Sequence, residues 1–174
     1  MDERAALDAR YDRLLQQEGA ALRRVAAAYE PDPARQEDLF QDVCLAVWQA
    51  LRRFRGESSE RTFLFRIAHN RGLTHRSRRR PAAASTEIEE AAAVADPGPG
   101  PEATAREGQR RERLRAAVLS LPLEPRQVIT LTLEGLSPKE SAEILGITEN
   151  NAAVRLSRAR RVLRQILEND GGAA

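Results

Sequence analysis

One cysteine, Cys44, and two histidines, His69 and His75, are the whole supply of thiol and imidazole in 174 residues. One thiol cannot close an intrachain disulfide, and this set cannot build a zinc site of the usual spacing. No metal and no cofactor are expected, and Cys44 should pack as a small apolar side chain. Aromatic residues are scarce at 4%. With Ala, Leu and Arg abundant, that favours helices over sheets. No run of about 18 apolar residues occurs, so no membrane insertion is expected. The opening MDERAALDAR is acidic and lacks an apolar signal core, which points to a soluble cytoplasmic protein. Nucleophile elbow, P-loop and dinucleotide fingerprint are all missing. The carboxylates of Glu87–Glu90 cluster in a segment ill suited to pre-organised acid–base chemistry. No catalytic residue and no enzymatic activity are expected.

What the chain does have is segregated charge. The net charge is only +2. Residues 1–51 carry 6 basic and 10 acidic groups, whereas 52–80 carry 10 basic and 2 acidic groups. Residues 81–113 are net −3 and 114–174 net +1, with five arginines and no acid between Arg155 and Arg164. Charge sorted this way suits at least two kinds of partner surface; solvated helix faces are the plainer alternative.

The pattern predicts an all-α chain of two small helical domains, 1–80 and 109–174, joined by a flexible Pro/Ala/acidic linker over 81–108. In the first, Leu39, Val43, Val47 and Leu51 recur every fourth residue, with Ala46 and Ala50 alongside, as one apolar stripe. Asp38, Gln41, Asp42 and Gln49 lie largely elsewhere. Phe54–Ser59 reads as a loop, and Ser58 or Ser59 can cap a helix from Arg61 to about Arg78. Phe63, Ile67 and Arg71 share one face of that helix. The linker's alternating Pro97, Pro99 and Pro101 exclude a helix interior there.

The second domain reads as four helices. Leu114, Val118 and Leu121 mark the first. Pro125 opens the next, which carries Val128, Ile129, Leu131 and Leu133 and stops at Gly135. Ser137, Pro138 and Glu140 form a capping box for a helix of about two turns ending near Leu145. Gly146 and Ile147 make a turn, Thr148 caps the last helix, and Ala152, Leu156, Ala159 and Leu163 form its inward stripe. A short capped helix, a glycine turn with an apolar anchor and a longer basic helix fit a helix-turn-helix. An αα-corner with a solvated arginine face is the other reading. Asn150, Asn151, Ala153, Val154, Ser157 and Arg158 fall on the outward side. Arg155, Arg160, Arg161 and Arg164 are available for phosphates or salt bridges.

Both halves resemble one family, the bacterial RNA polymerase sigma factors of the extracytoplasmic-function (ECF) group. DLFQDVCLAVWQALRRFRGESSERTFLFRIAHN, Asp38 to Asn70, resembles sigma-70 region 2. LPLEPRQVITLTLEGLSPKESAEILGITENNAAVRLSRAR, Leu121 to Arg160, resembles region 4. The order, the linker and the total length agree as well.

The resemblance implies a division of labour. The helix bearing Asp38, Gln41, Asp42 and Trp48 would dock on the β′ coiled coil of core RNA polymerase, with Trp48 partly buried and its ring in the domain core or at that interface. Phe54, Arg55, Gly56, Glu57, Ser58, Arg66, Asn70, Arg71 and Arg76 would open and hold the −10 promoter element. There a flipped base meets polar groups and an aromatic wall, and arginines track the strand. Phe63 and Phe65 occupy positions where the family often has Trp and Tyr; they read as core residues, with base stacking as the alternative. Asn151, Ala153, Val154, Arg155, Ser157, Arg158 and Arg161 would meet the −35 element, while region 4 contacts the β flap. The family commonly has Gly-Thr-Val-Lys-Ser-Arg at this place. Here Ala153 replaces a cation and Val154 a hydroxyl, and both can touch thymine methyls. Promoter DNA, core polymerase and an anti-sigma factor are the implied partners. The linker, acidic over Glu87–Glu102, would thread near the polymerase active centre as an RNA mimic. A stand-alone helix-turn-helix regulator and a protein-binding helical adaptor are the alternatives.

Overall fold

A computed structural model describes residues 3–79 and 102–171. The expectations for the proline-rich stretch 80–101, including RNA mimicry, fall outside the described residues. Among the described residues there are seven helices: α1 (Glu3–Ala27), α2 (Pro33–Leu51), α3 (Glu60–Arg79), α4 (Glu102–Ser120), α5 (Leu123–Leu133), α6 (Pro138–Leu145) and α7 (Glu149–Gly171).

Local chemistry starts and stops most of them. Asp32 accepts from the Ala34 N–H at 3.0 Å, and Pro33 sits at the first position of α2. Ser59 accepts from the Thr62 N–H at 3.0 Å and so caps α3. Around α6 the Ser137 hydroxyl accepts from the Glu140 N–H, and the Glu140 carboxylate accepts from the Ser137 N–H at 2.8 Å. The Ser137 N–H, joined by the Ser137 hydroxyl donating at 2.7 Å, holds the Glu140 carboxyl below its ordinary range. Gly146 closes α6 at φ 66°, a left-handed conformation that suits glycine. Thr148 accepts from the Asn151 N–H at 3.2 Å and starts α7.

Helices α1, α2 and α3 pack on one another as the first block. The stripe of Leu39, Val43, Val47 and Leu51 is fully buried there, joined by Leu22, Val25, Leu64, Phe65 and Ala68. Cys44 lies partly buried against this core, as expected. Tyr29, just beyond α1, seats its ring on Gly72 of α3. A Cβ at Gly72 would come within 2.4 Å of that ring. The Tyr29 hydroxyl and His69 Nδ1 share a hydrogen bond of 2.6 Å. Burial raises the tyrosine's pKa and lowers the histidine's, so both stay neutral. In the second block α4, α5 and α7 enclose Val118, Leu121, Val128, Ile129, Leu156, Ala159 and Leu163.

The two blocks are not separate bodies. Leu131, Leu136 and Ile144 of the second block belong to the core of the first. Burying each contributes about 2 kcal/mol. Around this apolar seam Arg24 forks onto the Glu134 carboxylate at 2.5 and 2.7 Å, and Arg61 donates to the Glu134 carbonyl. Arg126 donates to the Ala28 carbonyl at 3.3 Å, and Arg66 pairs with Glu143 at 3.6 Å. Periodicity within one helix cannot reveal such a seam. Leu131 reads equally well as core for either block.

Several expectations need correction. Helix α4 begins at Glu102, inside the stretch read as linker, because only Gly108 interrupts a run of good helix formers and one glycine costs a helix only about 1 kcal/mol. Helix α7 continues past Leu167 to Gly171. Leu133 is 53% exposed at the end of α5, where the helix leaves the core. Trp48 is partly buried, as expected, but its ring stays at the margin of the core, where its indole N–H donates to Asp8 at 3.1 Å.

Candidate nucleic-acid interface

The loop between α2 and α3 is short and turns at Gly56, φ 77°. It carries Arg55, Gly56 and Glu57 into solvent with Ser58 half-buried. Phe54 opens the loop and Phe63 lies on the first turns of α3. Their rings meet at 4.5 Å with a 43° tilt. No periodic pattern pairs two phenylalanines across a loop, so the sequence leaves Phe63 between a core and a base-stacking role. Phe65, by contrast, is completely buried.

The half-buried Phe63 packs against the core of the first block and also walls a cavity of about 560 Å³ between α2 and α3, lined further by Trp48, Arg52, Arg53 and Arg71. Arg52 lies 4.7 Å over the Trp48 ring. Asn70, next to Arg71, is exposed. Arginines around an aromatic wall, beside an exposed amide, can hold a phosphate, stack a base and bond its edge. The structure thus brings Phe54, Arg71 and the loop to one end of the first block, with Asn70 on the same helix. Two members of the expected set are engaged elsewhere. Arg66 faces Glu143, and Arg76 is half-buried near the Tyr29 hydroxyl.

At the other end of the chain α6, Gly146 and α7 form the expected corner, with Ile147 partly buried. Asn150, Asn151, Ala153, Val154, Ser157, Arg158 and Arg161 are all exposed along α7. Val154 is 41% exposed, so this helix presents an apolar methyl-bearing spot beside its arginines. Arg155 is less available than expected. Its side chain is 19% exposed, donates to Asn151 at 3.0 Å and pairs with Glu124 at 3.4 Å. On α2, Asp38, Gln41 and Asp42 are exposed on one acidic face together with Leu45, 55% exposed. That face has the composition of a docking surface for a basic partner. Among the described residues no cluster of His, Cys, Asp and Glu could hold a metal, and no helix is long and apolar enough to cross a membrane.

Comparison with known proteins meets the same two blocks. Residues 14–81 match the family model of sigma-70 region 2, and residues 111–163 match that of sigma-70 region 4. The RNA polymerase sigma factor NccH of Alcaligenes xylosoxydans xylosoxydans is 32% identical over 164 residues, 91% of this chain and 87% of its own length. The ECF RNA polymerase sigma factor SigM of Mycobacterium tuberculosis is 30% identical over 158 residues, 90% of this chain and 76% of its own. The solved structure of CnrH in complex with the cytosolic domain of CnrY superposes with a TM-score of 0.65 at 27% identity, covering 92% of this chain and 88% of CnrH. The sigma factor RpoE of Bartonella quintana, solved with the anti-sigma factor NepR, has the same fold at a TM-score of 0.69 and 23% identity, covering 91% of this chain and 96% of its own. With both regions in order and relatives matched over most of their length, the chain belongs to the ECF sigma factors of the sigma-70 family.

Proposed function

We propose that this chain binds core RNA polymerase in the cytoplasm and directs it to promoters, the first block opening the −10 element and the second reading the −35 element. The observation that carries this is the placement of two DNA-suited surfaces on opposite blocks: the Phe63–Arg53–Arg71 cavity with Asn70, and the exposed face of α7. Asp38, Gln41 and Asp42 dock on the β′ coiled coil, and the second block meets the β flap. Trp48, held at the edge of α2, can extend the docking face or the cavity wall. The polymerase makes the phosphodiester bonds; this chain contributes no catalytic group.

The closed arrangement of the blocks bears on this function. The two elements lie about 25 base pairs apart, or roughly 85 Å of duplex at 3.4 Å per pair. A compact body of this size is only about 40 Å across. One closed molecule cannot touch both elements, so the seam at Leu131, Leu136 and Ile144 must part when the promoter is engaged. Fully extended, residues 80–101 can span about 75 Å, enough for that separation. An anti-sigma factor, such as NepR in its solved complex with RpoE, would act by keeping the two blocks in place.

Run-off transcription with purified core polymerase over a genomic promoter library tests the reading. Specific initiation that depends on this chain supports it. Folded protein that gives no specific initiation at any promoter would sink it. Duplex binding without polymerase as the only activity would instead favour a stand-alone regulator.

A further inference from the structure

A second cavity is walled by Phe54 and shares Arg52 with the cavity walled by Phe63. It has a volume of about 630 Å³ and is lined by Arg4, Leu7, Arg10, Leu51, Arg52 and Phe54, with Ala6 at its rim. Its size falls among those of sites for nucleotide-sized ligands. The Arg10 guanidinium is fixed there in one plane. It lies 5.2 Å from the centre of the Phe54 ring, and both Nε and Nη2 sit 2.7 Å from a carboxylate oxygen of Glu60. Arg13 braces the same carboxylate at 3.2 Å. Leu7 and Leu51 supply an apolar wall, and Arg52 lines both this cavity and the neighbouring one. A planar cation held in place over an aromatic ring, beside apolar walls and further arginines, is the chemistry that stacks a base and neutralises its phosphate.

We infer that this cavity is a second nucleotide site, taking the base next to the one held at the Phe63 cavity as the opened strand passes around the Phe54–Phe63 pair. Arg10 stacks the base, and Arg52, shared between the two cavities, holds the phosphate that links the two nucleotides. The inference rests on the proposed function of the first cavity. The order of the two sites around a single aromatic pair makes them adjacent units of one strand rather than independent pockets.

The test uses the full chain and short single-stranded −10 oligonucleotides carrying 2-aminopurine at successive positions, with adenosine monophosphate as a separate probe. Two adjacent positions should change fluorescence on binding. Asn70→Ala should remove the change at one. At the other, Arg10→Lys, which keeps charge but loses the plane, should remove it and weaken the oligonucleotide about tenfold. Ala6→Trp, which places a bulky ring at an exposed lining position, should do the same and guards against misfolding of the Arg10 variant. If Asn70→Ala acts while Arg10→Lys and Ala6→Trp change nothing, the second site is overturned and the first stands. If the strand binds no more tightly than an unrelated one and neither position responds, the function proposed for the first cavity fails. Adenosine monophosphate binding that depends on Arg10, with no response from the strand, would make the cavity a free-nucleotide site and overturn its place on the promoter strand.

Discussion

Arg24 at the end of α1 grips Glu134 at the end of α5 through two parallel hydrogen bonds, Nε to Oε1 at 2.5 Å and Nη2 to Oε2 at 2.7 Å. The Glu134 side chain is 9% exposed and Arg24 is 60% exposed. The bond to Glu134 raises the Arg24 pKa still further, so the arginine is cationic at every accessible pH. Glu134 is thus the polar clasp over the apolar seam between region 2 and region 4. Arg24→Ala removes an exposed partner and should cost about 1 kcal/mol. Glu134→Arg places a third cation beside Arg24 and Arg61 and should cost about 2–3 kcal/mol. The expected outcome is a larger radius of gyration by small-angle scattering, with each block's helicity intact. An unchanged radius in the Glu134→Arg protein would show that the apolar seam alone holds the blocks.

Asn70 is exposed on α3, next in sequence to Arg71 of the Phe63 cavity. Asn70→Ala should lower strand opening, read by permanganate reactivity of the −10 element, by about tenfold while leaving −35 duplex binding within twofold. Equal loss in both assays would remove the base-reading role.

Ala153 is exposed on α7, at the position where the family resemblance implies a cation. Ala153→Lys should tighten duplex −35 binding and steepen its salt dependence by about one unit in log K against log salt. Tighter binding with no change in salt slope would mean that the lysine does not reach a phosphate.

Burial keeps His69 below the ordinary imidazole pKa, so the folded protein holds a neutral ring while the unfolded chain takes up a proton near pH 6.5. This contribution to stability is complete above about pH 6.5 and is lost as pH falls below it towards the lowered folded value. The melting temperature of the wild-type chain should therefore fall through that window more steeply than that of His69→Gln. Parallel curves would contradict the burial argument. Glu140 has the same sign at lower pH. Its carboxylate is favoured by the Ser137 N–H, and that support is lost as pH drops below about 4.5.

Gly72 faces the Tyr29 ring with no room for a methyl group. Gly72→Ala should push the ring off its seat, strain the bond to His69 and cost about 2–3 kcal/mol, read by urea denaturation. The double change Gly72→Ala with Tyr29→Ala should recover little. It relieves the clash but leaves the site of a fully buried tyrosine empty.

Ser137, Glu140, Gly146 and Thr148 could be placed from sequence because each acts within four residues of its own backbone. A capping box or a left-handed glycine carries its geometry in its spacing. The stripes of α2 and α7 were legible for the same reason, since a helix repeats its buried face every three to four residues. The sequence by itself therefore determined that the chain is helical, the helix ends that carry such local signals, and the two family regions in order; it missed the start of α4 and the end of α7, which carry none. Only the tertiary structure decided what lies between elements: Leu131, Leu136 and Ile144 filling the core of the other block, Arg24 reaching Glu134, Tyr29 seated on Gly72, and Phe54 paired with Phe63 as a wall between two cavities. Those contacts join residues distant in the chain. Nothing in local propensity or periodicity distinguishes the partner that each side chain finally meets.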